Sequence, residues 1–191
     1  MMPEQHLNDT ERAFLLSLAR NTINNYLNGV KLPTLDIASL SPKLKEHGAS
    51  FVTLTIQGYL RGCVGALEPY QSLAEDVREH AIAAAFQDYR FPPLQKNELD
   101  KTEIEISYLT LPERLRYDDP GDLIDKLRPN IDGVILRDGS RRATFLPQVW
   151  EKISTPEDFL EELCMKMGAP ADLWRRKKLD VMIYQVEEFH E

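Results

Sequence analysis

Arg61-Gly62-Cys63-Val64-Gly65 is the segment whose residue types and spacing could do chemistry. Two glycines within five residues weaken a strand, because glycine costs backbone entropy and contributes no packing. In return they allow close backbone approach to another group, or a bulge that re-aims a side chain. Cys63 stands between them, two residues from a guanidinium that could favour a thiolate or hold an anion. Three readings follow: a functional thiol, a small buried hydrophobe in a kinked strand, or a glycine-lined binding turn. Cys164 differs, since it lies beside Leu160, Leu163 and Met167 on an apolar helical stripe and reads as core.

A cysteine nucleophile usually needs a base. His6 and His190 lie near the termini and His47 in a linker, which leaves His80, on the helix after the motif, as the candidate. A buried structural histidine is the competing reading. There is no HExxH, no metal-spaced His/Asp/Glu cluster, no GxGxxG, no Walker loop and no GxSxG, so no metal or other cofactor is expected. Arg175-Arg176-Lys177-Lys178, Arg141-Arg142, Arg61 and Arg90 could form a local phosphate-binding patch, or simply a solvated charge run near a helix end. Glu103 and Glu105 alternate outward on a strand and need no catalytic explanation.

These residues need a scaffold. A chain of 191 residues is expected to form one domain, able to bury roughly 70% of its unfolded surface. Its 42% apolar and 28% charged content excludes wholesale disorder, collagen-like repeats and a coiled-coil rod. Acidic residues outnumber basic ones 31 to 23, a net charge of −8 that makes RNA an unfavoured partner. Two cysteines outside any CxxC pair, no basic leader and no bilayer-length apolar run indicate a cytoplasmic protein with reduced thiols and no membrane contact.

Phe14, Leu15, Leu18, Ala19, Ile23, Tyr26 and Leu27 recur at three- and four-residue spacing and predict that the first segment is a helix, stopped by Gly29. Residues 30–48 read as linker. Val52, Leu54 and Ile56 alternate with threonines, and Gln57-Gly58 turns the chain into a second strand, making a 51–66 hairpin of antiparallel strands. Ser72 with Glu75 is a capping box for a helix striped with Leu73, Val77, Ala81, Ala84 and Ala85, ended by Arg90-Phe91-Pro92-Pro93. A strand follows over Glu103–Leu109, then a short helix over Gly121–Leu127. A second hairpin turns at Asp138-Gly139 in a type I′ geometry, a helix runs from Thr155-Pro156 to Gly168, and a final strand spans Val181–Val186. Strands arriving in hairpins predict α+β, mainly antiparallel sheet with flanking helices.

RGCVG followed by a helix, RFPPL (Arg90–Leu94), EIS (Glu105–Ser107), DGV (Asp132–Val134), LPQVW (Leu146–Trp150) and FLEELCMKMG resembles the AMMECR-type domain, in prokaryotes the AmmeMemoRadiSam system protein A family. The resemblance spans about residues 7–190. Val64 replaces the family's usual isoleucine, and Tyr89 replaces the proline usual before the arginine. The resemblance implies one α+β domain with a larger and a smaller lobe, the RGC segment near the groove between them. It marks Arg61, Gly62, Cys63, Gly65, Arg90, Phe91, Pro92, Pro93, Pro147 and Gln148 as family-motif residues. As partners it implies a Memo-type dioxygenase-like protein and a radical-SAM protein, while the small-molecule substrate stays unknown. Three functions are carried forward. The first is a thiol-dependent enzyme or accessory subunit with Cys63 and Arg61 as catalytic residues, His80 as base, and Gly62, Gly65, Arg90, Phe91 and Gln148 in binding. The others are a non-catalytic protein-binding module and an RNA modification factor.

Overall fold

Asn8 opens the first helix in a reciprocal capping box. Its side chain accepts from the Glu11 N–H, and the Glu11 carboxylate accepts from the Asn8 N–H. In the computed structural model, which describes residues 6–191, that helix is α1 (Asp9–Leu27). It starts five residues before the first apolar pair because its opening turn is fixed by polar capping rather than by the stripe. The linker holds a 3-10 turn at Ile37–Ser39 and the one-turn α2 (Pro42–Lys45). It is shorter than expected: β1 (His47–Ile56) already includes Gly48, where a Cβ would lie 2.8 Å from that of Leu73.

β1 turns through Gln57 (φ 54°) and Gly58 (φ 78°) into β2 (Tyr59–Gly65), antiparallel as the alternation requires. β3 (Gln71–Ser72) pairs with the start of β1 and runs into α3 (Leu73–Phe86). Only half of the predicted capping box forms there. Ser72 Oγ accepts from the Glu75 N–H, but the Glu75 carboxylate pairs with Arg78 instead of reaching back. α3 also ends four residues before Arg90, earlier than the prolines suggested. Asp88 bends the chain first, its side chain accepting from the Arg90 N–H and its carbonyl from the Phe91 N–H.

β4 (Thr102–Leu109) completes the centre of the first sheet, and after β5 (Glu113–Arg114) comes α4 (Pro120–Lys126). The second hairpin is β6 (Gly133–Asp138) and β7 (Arg141–Phe145). Its two loop residues are Gly139 and Ser140, because Asp138 already pairs with Arg141. A positive φ at Gly139 alone matches type II′ rather than the expected I′. α5 (Pro156–Lys166) has Thr155 as its cap, and α6 (Leu173–Arg176) follows. The expected last strand is two strands, β8 (Asp180–Tyr184) and β9 (Val186–His190), separated at Gln185 and belonging to different sheets.

The fold is α+β. One compact unit holds the described residues up to Thr110 with Glu187–Glu191, and a second holds Leu111–Val186. The first has the order β2-β1-β4-β9, with β3 on β1. One face of its sheet, carrying Val52, Leu54, Ile104, Ile106 and Phe189, packs on Leu15, Ala19 and Ile23 of α1 and on Leu73, Val77, Ala81 and Ala84 of α3. The second unit has the order β5-β8-β6-β7, all antiparallel, and a core around Trp150, Trp174, Phe159 and Leu163. Trp150 stacks on Phe159 at 3.7 Å between ring centroids and donates to the Asp132 carbonyl.

The alanine stripe of α3 lets β2 approach the helix backbone. A Cβ on Gly62 would sit 2.1 Å from the Ala84 carbonyl oxygen, a main-chain atom that cannot swing aside. Gly58 has open space around it and only a positive φ to lose. Gly62→Ala should therefore cost about 3 kcal/mol, and Gly58→Ala about 1 kcal/mol. Urea unfolding followed by far-UV circular dichroism checks this, and equal costs at the two positions would contradict the close approach.

Candidate functional site

The RGCVG segment gains its shape from a bulge. Leu54 pairs with Gly62 and Thr55 with Leu60, so Arg61 is the extra residue on β2. The bulge turns the Arg61 side chain onto the loop that follows α3. Its guanidinium donates to both Glu98 carboxylate oxygens at 2.9 and 3.0 Å and to the Pro92 carbonyl at 2.9 Å. Glu98 also accepts from the Gln95 N–H, so one ion pair pins both ends of the RFPPL turn. The Arg61 guanidinium holds the Glu98 carboxyl below the usual carboxylate range.

Cys63 lies directly across from Thr53, and Thr53 across from Glu105. Thr53 and Glu105 alternate with Val52, Leu54, Ile104 and Ile106, so this row occupies the sheet face opposite α1 and α3. Cys63 is half-buried, and its Sγ accepts from the Thr53 hydroxyl at 3.3 Å. Glu105 is partly buried on the same face, and burial pushes its carboxyl above the ordinary glutamate value, helped by Glu188 and opposed by His190. The second glycine serves this face as well: a Cβ on Gly65 would meet the Phe51 ring at 2.4 Å.

β2 is an edge strand, and its main-chain groups at Cys63 find side chains instead of a neighbouring strand. The Cys63 N–H donates to Asp88 Oδ2 at 2.9 Å, and its carbonyl accepts from Arg90 Nη2 at 3.1 Å. Asp88 and Arg90 are themselves joined by two bonds, Nε to Oδ1 at 2.9 Å and Nη2 to Oδ2 at 2.7 Å. Asp88 is buried, and its bonds from Arg90, with those from the Cys63 and Arg90 amides, hold its carboxyl far below the usual range despite burial. The Arg90 guanidinium also lies 5.6 Å from the Phe91 ring.

His80 is buried on α3 on the helix-covered side of the sheet. Its Nδ1 is 3.1 Å from Asp76 Oδ2, which accepts from Ser50 Oγ at 2.6 Å. The hydrogen-bond partner of the Cys63 sulfur is Thr53, and that of His80 is Asp76. Gln148 lies in a 3-10 turn (Pro147–Glu151) of the second unit. Asp88 carries no sequence signal that points it at Cys63. An Asp two residues before an Arg just past a helix end is visible there, but its target is not. The candidate phosphate patch is largely paired within each unit: Arg141 and Lys177 with Asp138, Arg175 with Glu161, and Arg176 with Asp172. Among the described residues no group of three His, Cys, Asp or Glu is placed to hold a metal, and no helix is long and apolar enough to cross a membrane.

The AMMECR1 family model matches residues 16–189. A protein of Thermofilum pendens is 38% identical over 97% of this chain and 92% of its own length. One of Methanothermobacter thermautotrophicus is 37% identical over 97% of this chain and 96% of its own. The crystal structure of the uncharacterized protein PH0010 from Pyrococcus horikoshii superposes with a TM-score of 0.75 at 34% identity, covering 97% of this chain and 93% of that one.

Because the folded Asp88 carboxyl titrates below its unfolded value, its contribution to stability is complete above about pH 4 and is lost as pH falls toward the folded value. Asp88→Asn should cost about 2 kcal/mol at pH 7, and the gap to wild type should narrow steadily below pH 4. Chemical denaturation at a series of pH values measures both; a pH-independent gap would mean that the carboxylate charge plays no part in the clamp.

Proposed function

Because the chain belongs to the AMMECR1 family, a premise on which its fold and motifs agree, we propose that it is a thiol protein in which Cys63 is the point of covalent or nucleophilic contact with a substrate. In this reading it acts in the cytoplasm as an enzyme or accessory subunit beside a Memo-type protein and a radical-SAM protein. One observation carries the proposal: a half-buried cysteine whose N–H and carbonyl are both clamped by a buried aspartate and its arginine. That clamp fixes the backbone that carries the thiol without occupying the sulfur, which keeps Thr53 as an adjustable hydroxyl donor. Positioning of this kind is what a covalent step requires. Arg61 acts as a positioning residue, holding the RFPPL turn through Glu98 and the Pro92 carbonyl.

Recognition by a binding module is the second reading, and Tyr89 favours it. The ring is 96% exposed beside Arg90 and Phe91, on a segment that Asp88 and Glu98 anchor at both ends. A solvated aromatic on a rigid turn is a suitable anchor for a partner. RNA binding has less support, since Arg61 and Arg90, the cations nearest Cys63, already hold carboxylates.

The two free thiols form an internal comparison. Cys164 is fully buried, and burial pushes its thiol above the usual value. With iodoacetamide, where the thiolate displaces iodide and its proton goes to buffer, Cys63 should be modified at least tenfold faster than Cys164 in the folded protein. Cys63→Ser should unfold within about 1 kcal/mol of wild type, as Thr53 can bond a hydroxyl as well. Peptide mass spectrometry over a time course reads the rates. Equal, slow labelling of both thiols, with a stability loss above about 2 kcal/mol in Cys63→Ser, would make the cysteine structural and leave the recognition reading standing.

A further inference from the structure

The basic run Arg175–Lys178 divides unevenly in three dimensions. Arg175, Arg176 and Lys177 each meet a carboxylate, whereas Lys178 turns the other way, its Nζ 5.3 Å from the Tyr117 ring centroid. There it borders an open cavity of about 550 Å³ in the second unit, formed by residues 114–118 and 178–180. That volume lies within the range of small-molecule sites. The cavity's back is held rigid by one phenol. Buried Tyr117 donates through its hydroxyl to the Leu179 carbonyl at 2.9 Å and accepts from the Leu179 N–H at 2.7 Å. The segment is fixed further where the Leu115 N–H donates to the Val181 carbonyl.

Charge around this cavity is unevenly matched. Arg114 Nε lies 3.1 Å from Asp180 Oδ1, an ion pair by distance in which that oxygen accepts no hydrogen bond. Among the described residues, Arg116 and Lys178 have no carboxylate within ion-pair distance. Asp118 is the one remaining acid in the lining; the neighbouring Asp122 carboxylate accepts from the Asp118 N–H at 2.8 Å, is paired with Lys126 at 2.7 Å and also feels the Lys178 charge. Two cations without an ion-pair partner beside a concave wall suit a dianion, which both a guanidinium fork and an ammonium can hold. Asp118 would repel a second anionic group on the same ligand and accept a hydrogen bond from a neutral hydroxyl.

We propose that the cavity between residues 114–118 and 178–180 binds a small phosphate monoester that carries free hydroxyls, with Arg116 and Lys178 on the phosphate and Asp118 on a hydroxyl. The site is built wholly from residues of the second unit and its binding does not call on the thiol. It gives the acidic chain a local anion site without a general affinity for polyanions, because most of its other basic residues are paired.

Ribose 5-phosphate is the probe, titrated into the full chain and followed by amide chemical shifts, with ribose and a single-stranded RNA oligomer as controls. Saturable shifts are expected at residues 115–118 and 178–180 with ribose 5-phosphate and none with ribose. Arg116→Gln and Lys178→Gln, both at exposed positions, should each weaken binding about tenfold. Asp118→Asn should strengthen binding of inorganic phosphate, by removing a repulsive charge. Failure to saturate at millimolar ribose 5-phosphate, or shifts unchanged in both cation variants, would overturn the proposal. Tighter binding of the RNA oligomer than of ribose 5-phosphate at these residues would overturn it too, in favour of a nucleic-acid contact.

Discussion

An edge strand has to do something with the main-chain groups that no neighbour pairs, and at Cys63 the answer is one ion pair. Asp88 takes the N–H and Arg90 the carbonyl, so two side chains stand where the next strand would be. Much of the first unit's design around the RGC segment follows from that. Asp88 can reach β2 because α3 ends at Phe86, two residues earlier, and α3 lies close enough because Gly62 presents no Cβ to the Ala84 carbonyl. The loop returning from Arg90 is then held by Arg61, which the bulge aims at Glu98. Removing the glycine, the aspartate or the bulge would free the same few residues by different routes.

The elements of this scaffold were legible wherever a local pattern was sufficient. Alternation in FVTLTI with Gln57-Gly58 specified the first hairpin, and the alanine stripe of α3 announced a close packing partner. Boundaries failed where a side chain overrode the pattern. Asp88 bends the chain before the prolines can end α3. The last strand was misread for another reason: its apolar residues continue through Val186, and nothing local marks Gln185 as the point where the chain leaves one sheet for another.

At the candidate site, the sequence indicated which residues matter more readily than what they touch. Helical spacing put His80 toward the sheet, which is where it lies, but a sheet has two faces. Only the register, with Cys63 opposite Thr53 and Gly62 opposite Leu54, puts the thiol on the far one. His80 instead completes a buried polar set with Asp76 and Ser50 inside an apolar core. Such a set is costly unless its atoms are paired, and Asp76 Oδ1 has no hydrogen-bond partner. Two bonds on Oδ2 and an orphan on Oδ1 make this carboxylate the most exacting buried group in the first unit. Its neighbours Ser50 and His80 are therefore constrained by the need to satisfy that carboxylate.

Charge carries the same lesson about range. A run such as Arg175–Lys178 stands out in a sequence, yet its members are mostly neutralised by Glu161, Asp172 and Asp138. Arg116, whose charge is left over, belongs to no run and had no signal of its own. On a chain with net charge −8, acids are plentiful enough that a cation usually meets one. An unpaired cation is then informative because of what surrounds it, not because of its neighbours in sequence. Around the cavity that Arg116 and Lys178 line, the two bonds of Tyr117 to Leu179 hold the strand-end segments together, and the nearby Asp180 lies within ion-pair distance of Arg114 rather than of Arg116.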